Sequence, residues 1–309
     1  MACRRAIGYN QSPDVPFDRS INPYRGCEHG CIYCFARPSH AWLDLSPGLD
    51  FETRLFHKPE APERLRDELA RPGYTPAPLA LGINTDAYQP IEKQLGLTRR
   101  LLDLLHETRH PVHIVTKSAL IERDLERLAG MAAQGLAACA VSLTSLDKTL
   151  TRRMEPRAAA PARRLKTIRR LSEAGVPVTV MVAPLIPALT DHELEDLLAA
   201  AREAGARSAS MVLLRLPHEV AGLFEEWLRA HYPDRSDSVL NRLRDCHQGR
   251  LYDSRFGQRM QGSGAYAQLL ARRFELARKR LAYQPPATLR SDLFRPPLAG
   301  HGQLPLPGL

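Results

Sequence analysis

The chain has 309 residues, of which 44% are hydrophobic and 25% charged, and 43 Lys and Arg stand against 34 Asp and Glu for a formal net charge of +9. This is ordinary for a soluble protein with one large core; no apolar run approaches the ~20 residues of a membrane span, and the start Met1-Ala2-Cys3-Arg4-Arg5 lacks the apolar stretch of a secretory signal, so a cytoplasmic, reducing home with no membrane partner is expected. The positive balance points to an acidic partner, nucleic acid being the natural one, although lysine supplies only six of the basic residues and a chain-wide arginine bias would give the same sum.

Residues 1 to 19 carry no periodicity and read as an extended arm. A short strand is expected through Ser20 to Tyr24, followed by a cysteine-bearing loop and an irregular stretch to about Pro62. The chain then alternates. Leu79 to Ile83, Val112 to Thr116, Ala138 to Leu143, Val176 to Val182 and Ser210 to Leu216 read as buried strands. Between them lie helical faces marked by Leu101, Leu102 and Leu105, by Ile121, Leu125 and Leu128, and by Leu165, Ile168 and Leu171. Thr190-Asp191-His192-Glu193 has the form of a capping box opening a helix that runs to Gly205. Single helices between strands imply right-handed crossovers and a parallel sheet. Six such units without a dinucleotide glycine fingerprint favour an α/β fold of the partial (β/α)6 TIM-barrel type over a doubly wound sheet. From 217 to 283 the pattern is helical, with basic Arg272, Arg273, Arg278, Lys279 and Arg280 on the last helix; that face either tracks phosphates or is simply solvated. The segment 284–309 holds six prolines and is expected to be disordered. The expected organisation is therefore an arm (1–19), a core domain (20–216), a helical extension (217–283) and a tail.

Within the first loop Cys27, Cys31 and Cys34 stand in the spacing C-x3-C-x2-C. Three thiolates can hold a four-iron cluster with one iron left open to a small molecule. A structural zinc site needs a fourth ligand; His29 and His40 are the nearby donors, but His29 sits between two of the cysteines. Disulfides fit poorly, since three clustered cysteines cannot all pair. Cys139 lies in an apolar run, and Cys3 and Cys246 have no partner at ligand spacing.

Ligands of such sheets bind at the carboxyl ends of the strands, and those ends are polar here. The second strand runs into Asn84-Thr85-Asp86, the third into Thr116-Lys117-Ser118, the fourth into Ser142-Leu143-Thr144 with Glu155-Pro156-Arg157 beyond. Lys117 follows an apolar strand, so its ammonium needs an anion, from a ligand carboxylate or a structural partner. Asp86 is either a ligand contact or a turn cap, Ser142 a ligand contact or a core hydroxyl, and Glu155 with Arg157 a functional or a surface pair.

With these residues in view the chain resembles the radical S-adenosylmethionine (SAM) superfamily. The cysteine loop, with Tyr33 just before its third cysteine, matches that signature. Ile114-Val115-Thr116-Lys117, Glu155-Pro156 followed by Arg164-Leu165, and Val182-Ala183-Pro184 resemble its DNA-repair photolyase-like, or spore-photoproduct-lyase-like, branch. The resemblance spans residues 20 to 216. It implies that Cys27, Cys31 and Cys34 hold a [4Fe–4S] cluster whose open iron SAM chelates. An electron from the cluster splits the sulfonium, and the 5′-deoxyadenosyl radical abstracts hydrogen from a substrate, with a reductant such as flavodoxin or ferredoxin as partner. It further implies that Lys117 faces the SAM carboxylate, Asp86 its amino group, Ser142 its methionyl or ribose part and Tyr33 its adenine, with Arg157 a further cofactor contact. The usual glycine-rich acidic pattern is absent around Asp86. The hydrogen-donating cysteine of spore photoproduct lyases is also missing: its neighbourhood reads Ile83-Asn84-Thr85-Asp86. Fold does not fix substrate, which stays open, nucleic acid included. The competing expectation is a non-catalytic zinc- or iron–sulfur-containing nucleic-acid-binding protein.

Overall fold

The computed structural model describes residues 4–297. Its strands are β1 (Ile7–Tyr9), β2 (Arg19–Ile21), β3 (Tyr24–Arg25), β4 (Phe56–His57), β5 (Leu79–Leu81), β6 (Val112–Thr116), β7 (Ala137–Ser142), β8 (Val178–Leu185) and β9 (Ser208–Leu213). β2, β5, β6, β7, β8 and β9 are parallel neighbours in that order, and β1 joins the β2 edge antiparallel. No pairing joins β1 to β9, so the sheet is the expected partial barrel, open along one side. Helices occupy the crossovers and bury the faces that the spacing marked, for example Leu101, Leu102 and Leu105 in the helix Leu97–Glu107. Strand side chains alternate as a barrel wall requires: Val112, Ile114 and Thr116 are buried, His113 and Val115 less so.

Three local expectations are corrected. The first strand splits after Ile21. Pro23 has no N–H to donate to a ladder, and its carbonyl instead accepts from Lys58 N at 3.0 Å, so Tyr24–Arg25 turns away to pair with Phe56–His57. The capping box does not form: the Thr190 hydroxyl turns back to accept from Ile186 N (2.9 Å), and Glu193 reaches across to the Ser145 hydroxyl and Leu146 N (2.6 Å). A carboxylate that finds two donors on another loop has more to gain there than at its own helix start. Residues 284–297 are docked rather than disordered. Gln284 N, Arg290 N and Arg295 N donate to the carbonyls of Arg207, Gly135 and Thr108, and Phe294 packs edge-on against the His110 ring. The rest of the expected tail, 298–309, lies outside the described residues, as does Cys3.

The arm contributes β1, and the amides of Ala6 and Ile7 donate to Glu68. The helices after residue 217, Val220–His231, Pro233–Cys246 and Gly264–Arg280, do two things. The first two form a second apolar cluster in which Phe224, Trp227 and Leu243 pack with Cys31, Tyr33 and Met154 behind the cysteine loop. The third lies on the helix Leu194–Glu203, where Arg273 is engaged by Glu195 at 2.6 and 2.8 Å. Between the second and third, the chain returns along the open edge, and Leu213 N of β9 donates to Met260 O (2.8 Å).

Candidate active site

The cysteine loop leaves β3 and is held from below by a buried arginine. Arg37 Nε donates to Cys31 O (2.8 Å), Nη1 to Pro47 O and Gly48 O, and Nη2 to Gly30 O and to Glu52 (2.5 Å). A guanidinium has five N–H donors in a fixed fork, and here they are spread over four carbonyls and one carboxylate. Gly30 sits at φ +67°, where a Cβ would lie 2.6 Å from Glu52 Oε2, so the loop turns there only without a side chain. Gln89 ties the loop to the end of β5, accepting from Glu28 N (2.9 Å) and donating to Gly26 O (3.2 Å). At the end of β5 itself, Gly82 at φ +84° lets the chain pass Val115 O, which a Cβ would meet at 2.5 Å.

These constraints bring Cys27, Cys31 and Cys34 to one wall of a cavity at the carboxyl ends of the strands. Tyr33, Asp86, Lys117 and Ser142 line the same cavity. Burial raises all three thiol pKa values; that of Cys31 goes up to about 12, with the Glu155 charge adding to the effect. Lys117 Nζ stands 5.9 Å above the Tyr33 ring. Burial opposes its charge, but Cys31, Glu155 and Asp86 outweigh this and raise its pKa above the ordinary value. Among the described residues neither the Lys117 ammonium nor the Ser142 hydroxyl makes a hydrogen bond or ion pair.

Asp86 lines the cavity and is also engaged by the chain itself. Its Oδ1 accepts from Tyr88 N (2.9 Å) and the Thr116 hydroxyl (2.7 Å), its Oδ2 from Lys117 N (2.7 Å), and His29 Nδ1 stands 3.4 Å from Oδ2. A carboxylate offers about four lone-pair sites, and all are taken by the chain. Burial would raise its pKa, yet His29 and these donors bring it down to about 2. Asp86 thus fixes the end of β6, and Lys117 with it. Tyr33 sends its hydroxyl downward to donate to Glu155, with Thr144 at 3.4 Å. Glu155 also accepts from Arg164, and both are almost fully buried. Arg157 does not reach the cavity. It is 46% exposed at the side chain and bonds Glu28 O and Glu52 from outside the loop, as a brace for the loop.

Sequence reasoning missed Arg37 and Gln89, which organise the loop, and Arg215 and Met260, which line the cavity. Arg37 follows Cys34 by three residues, but nothing local distinguishes it from the other arginines. Met260 arrives from the helical extension and had no local signal at all.

The donor set suits a cluster better than a single zinc ion. Three thiols share one wall, while His29 turns Nδ1 to Asp86 and His40 Nε2 faces Arg54 O at 3.0 Å. Across from the thiols, an ammonium and a hydroxyl without partners suit the carboxylate and polar groups of an amino-acid-like ligand.

An uncharacterized protein of Mycobacterium tuberculosis is 38% identical over 250 residues, covering 79% of this chain and 72% of the relative. One of Methanocaldococcus jannaschii is 26% identical over 56% of the chain and 62% of its own length. Among solved structures, spore photoproduct lyase complexed with dinucleoside spore photoproduct superposes with a TM-score of 0.63 at 14% identity over 90% of this chain and 78% of that one. A double variant of the lyase with bound AdoMet gives 0.62 at 15% over 91% and 78%; at such identity these likenesses speak for the fold alone. The radical SAM superfamily model matches residues 21–201, the span that carries the cysteine loop, Lys117 and Ser142, and the chain belongs to that superfamily.

Proposed function

We propose that this chain is a radical SAM enzyme that acts on a nucleic-acid substrate and takes its electron from a reductant such as flavodoxin or ferredoxin. One observation carries the catalytic part: three thiols on one wall of a cavity that also presents an unpartnered ammonium, Lys117, and an unpartnered hydroxyl, Ser142. Cys27, Cys31 and Cys34 would hold a [4Fe–4S] cluster, and Lys117 and Ser142 would hold SAM. When bound, the pair supplies a carbon radical able to abstract hydrogen. The chain's part is positional. Lys117 gives the cofactor carboxylate its counter-charge, and its root is fixed by the Asp86 bond to its amide. Val115, Met181, Ala183, Pro184 and Leu213 add an apolar face to the lining, which helps to keep water from a reactive site.

The nucleic-acid part rests on the net charge of +9 and on the lyase's dinucleoside ligand. It does not extend to thymine-dimer repair by thiol quenching, because among the described residues the cysteines lining this cavity are the three of the loop. Oxygen-free preparation should give brown protein with about four iron and four sulfide per chain. With dithionite and SAM it should release 5′-deoxyadenosine, and Cys31→Ala should abolish both. Colourless protein, or equal release from the variant, would reject the reading.

A further inference from the structure

The cavity contains a second cation besides Lys117. Arg215, two residues beyond β9, lines it beside Phe35 and Met260. Its guanidinium carbon lies 4.9 Å from the centre of the Phe35 ring. Its Nε is buried and finds no acceptor, and among the described residues Arg215 makes no ion pair. Other arginines near the mouth are satisfied: Arg259 by Asp14 and Ser12, Arg255 by Asp253 and Gln248. Asp14 feels the Arg215 charge but is held by Arg259 and by Gly257 N (2.6 Å). A partly buried guanidinium left without an acceptor is costly, and in native proteins such groups have a partner.

Both cations line the cavity that the three cysteines share. Lys117 leans over Tyr33, which is buried, and Arg215 over Phe35, which is 39% exposed. Their strands, β6 and β9, are three places apart in the sheet, about 14 Å at the usual strand spacing. Lys117 is therefore the inner cation and Arg215 the outer one, at the mouth. With the inner one assigned to the cofactor carboxylate, the outer one needs an anion from the substrate. A planar guanidinium beside a half-open aromatic ring suits a phosphate with a base next to it.

We infer that Arg215 and Phe35 form the substrate's phosphodiester subsite; this rests on the nucleic-acid reading above. The test is fluorescence anisotropy of a labelled single-stranded oligodeoxynucleotide on the iron-loaded chain with saturating SAM, across a salt series. Arg215→Met should weaken binding about tenfold and lower the slope of log affinity against log salt by about 0.7, the loss of one phosphate contact. Arg215→Lys should recover the slope but only part of the affinity, because it keeps the charge and loses the fork. Iron content and SAM affinity should match the unsubstituted chain in both variants. Unchanged oligonucleotide affinity in Arg215→Met, no binding by the unsubstituted chain, or a parallel loss of SAM affinity would each overturn the assignment. So would displacement of the oligonucleotide by an acidic hexapeptide at equal concentration, which would mark a carboxylate site. Failure of the iron-loaded chain to release 5′-deoxyadenosine would count against the catalytic reading alone, since oligonucleotide affinity is read separately.

Discussion

Replacing Glu155 by Gln would show how much the floor of the site depends on one buried charge. Glu155 accepts from Arg164, from the Tyr33 hydroxyl and from Thr144 (3.1 Å). The remaining Arg164 bonds go to neutral carbonyls, Ala159 O at 2.7 Å and Ser142 O at 3.1 Å. Gln keeps the shape but removes the charge, leaving a guanidinium that is 1% exposed without its anion. Breaking one half of a buried pair costs about 3–5 kcal/mol. An unfolding entropy of about 2.1 cal/mol/K per residue comes to roughly 0.65 kcal/mol/K for this length, so the melting midpoint should fall by about 6 °C. Replacing both partners removes the uncompensated charge, so Glu155→Gln with Arg164→Met should recover at least half of the loss. Calorimetry and urea titration of the two single variants and the double variant give the cycle. A loss under about 1 kcal/mol for Glu155→Gln, or a double variant as unstable as the two singles added together, would refute the reasoning.

Lys117→Met should weaken SAM binding by about 10- to 100-fold, the range of a charged hydrogen bond, with iron content unchanged; titration calorimetry reads the first and a colorimetric assay the second, and loss of iron would mean that the residue serves the cluster instead. His110 is held neutral: Nε2 accepts from the Tyr74 hydroxyl (2.8 Å), Nδ1 donates to Pro111 O (3.0 Å), and burial lowers its pKa from 6.5 to about 4. The unfolded chain then binds the extra proton below pH 6.5, so this contribution is complete above 6.5 and is lost as pH falls towards 4, by roughly 3 kcal/mol. Urea midpoints at pH 7 and 4.5 should differ accordingly, and His110→Asn should flatten the difference. Asp14→Ala should speed amide exchange in residues 255–262, which it ties to the arm, and leave β6 to β8 as protected as before; uniform acceleration would place Asp14 in the global fold instead.

Much of the fold could be read in advance because its signals are local. Alternating burial along Val112–Thr116 and the leucine faces of the crossover helices depend on residues two to four apart, and the cysteine spacing is a local relation as well. The position of the candidate site was legible for the same reason: Cys27, Cys31, Cys34, Lys117 and Ser142 line one cavity at the strand ends. What periodicity cannot supply is the partner of a long side chain. Glu193 left its capping box for Ser145, Asp86 spent its lone pairs on Thr116, Tyr88 and Lys117, and Arg157 stayed outside the loop while Arg164 took Glu155. Arg215 likewise became a cavity cation only once β9 and the returning extension had been packed. Local sequence determines which residues form strands, helices and the thiol loop, because backbone geometry repeats over short distances. Only tertiary packing decides which charges are paired and which remain free for a ligand, because that depends on which distant groups arrive within about 3 Å.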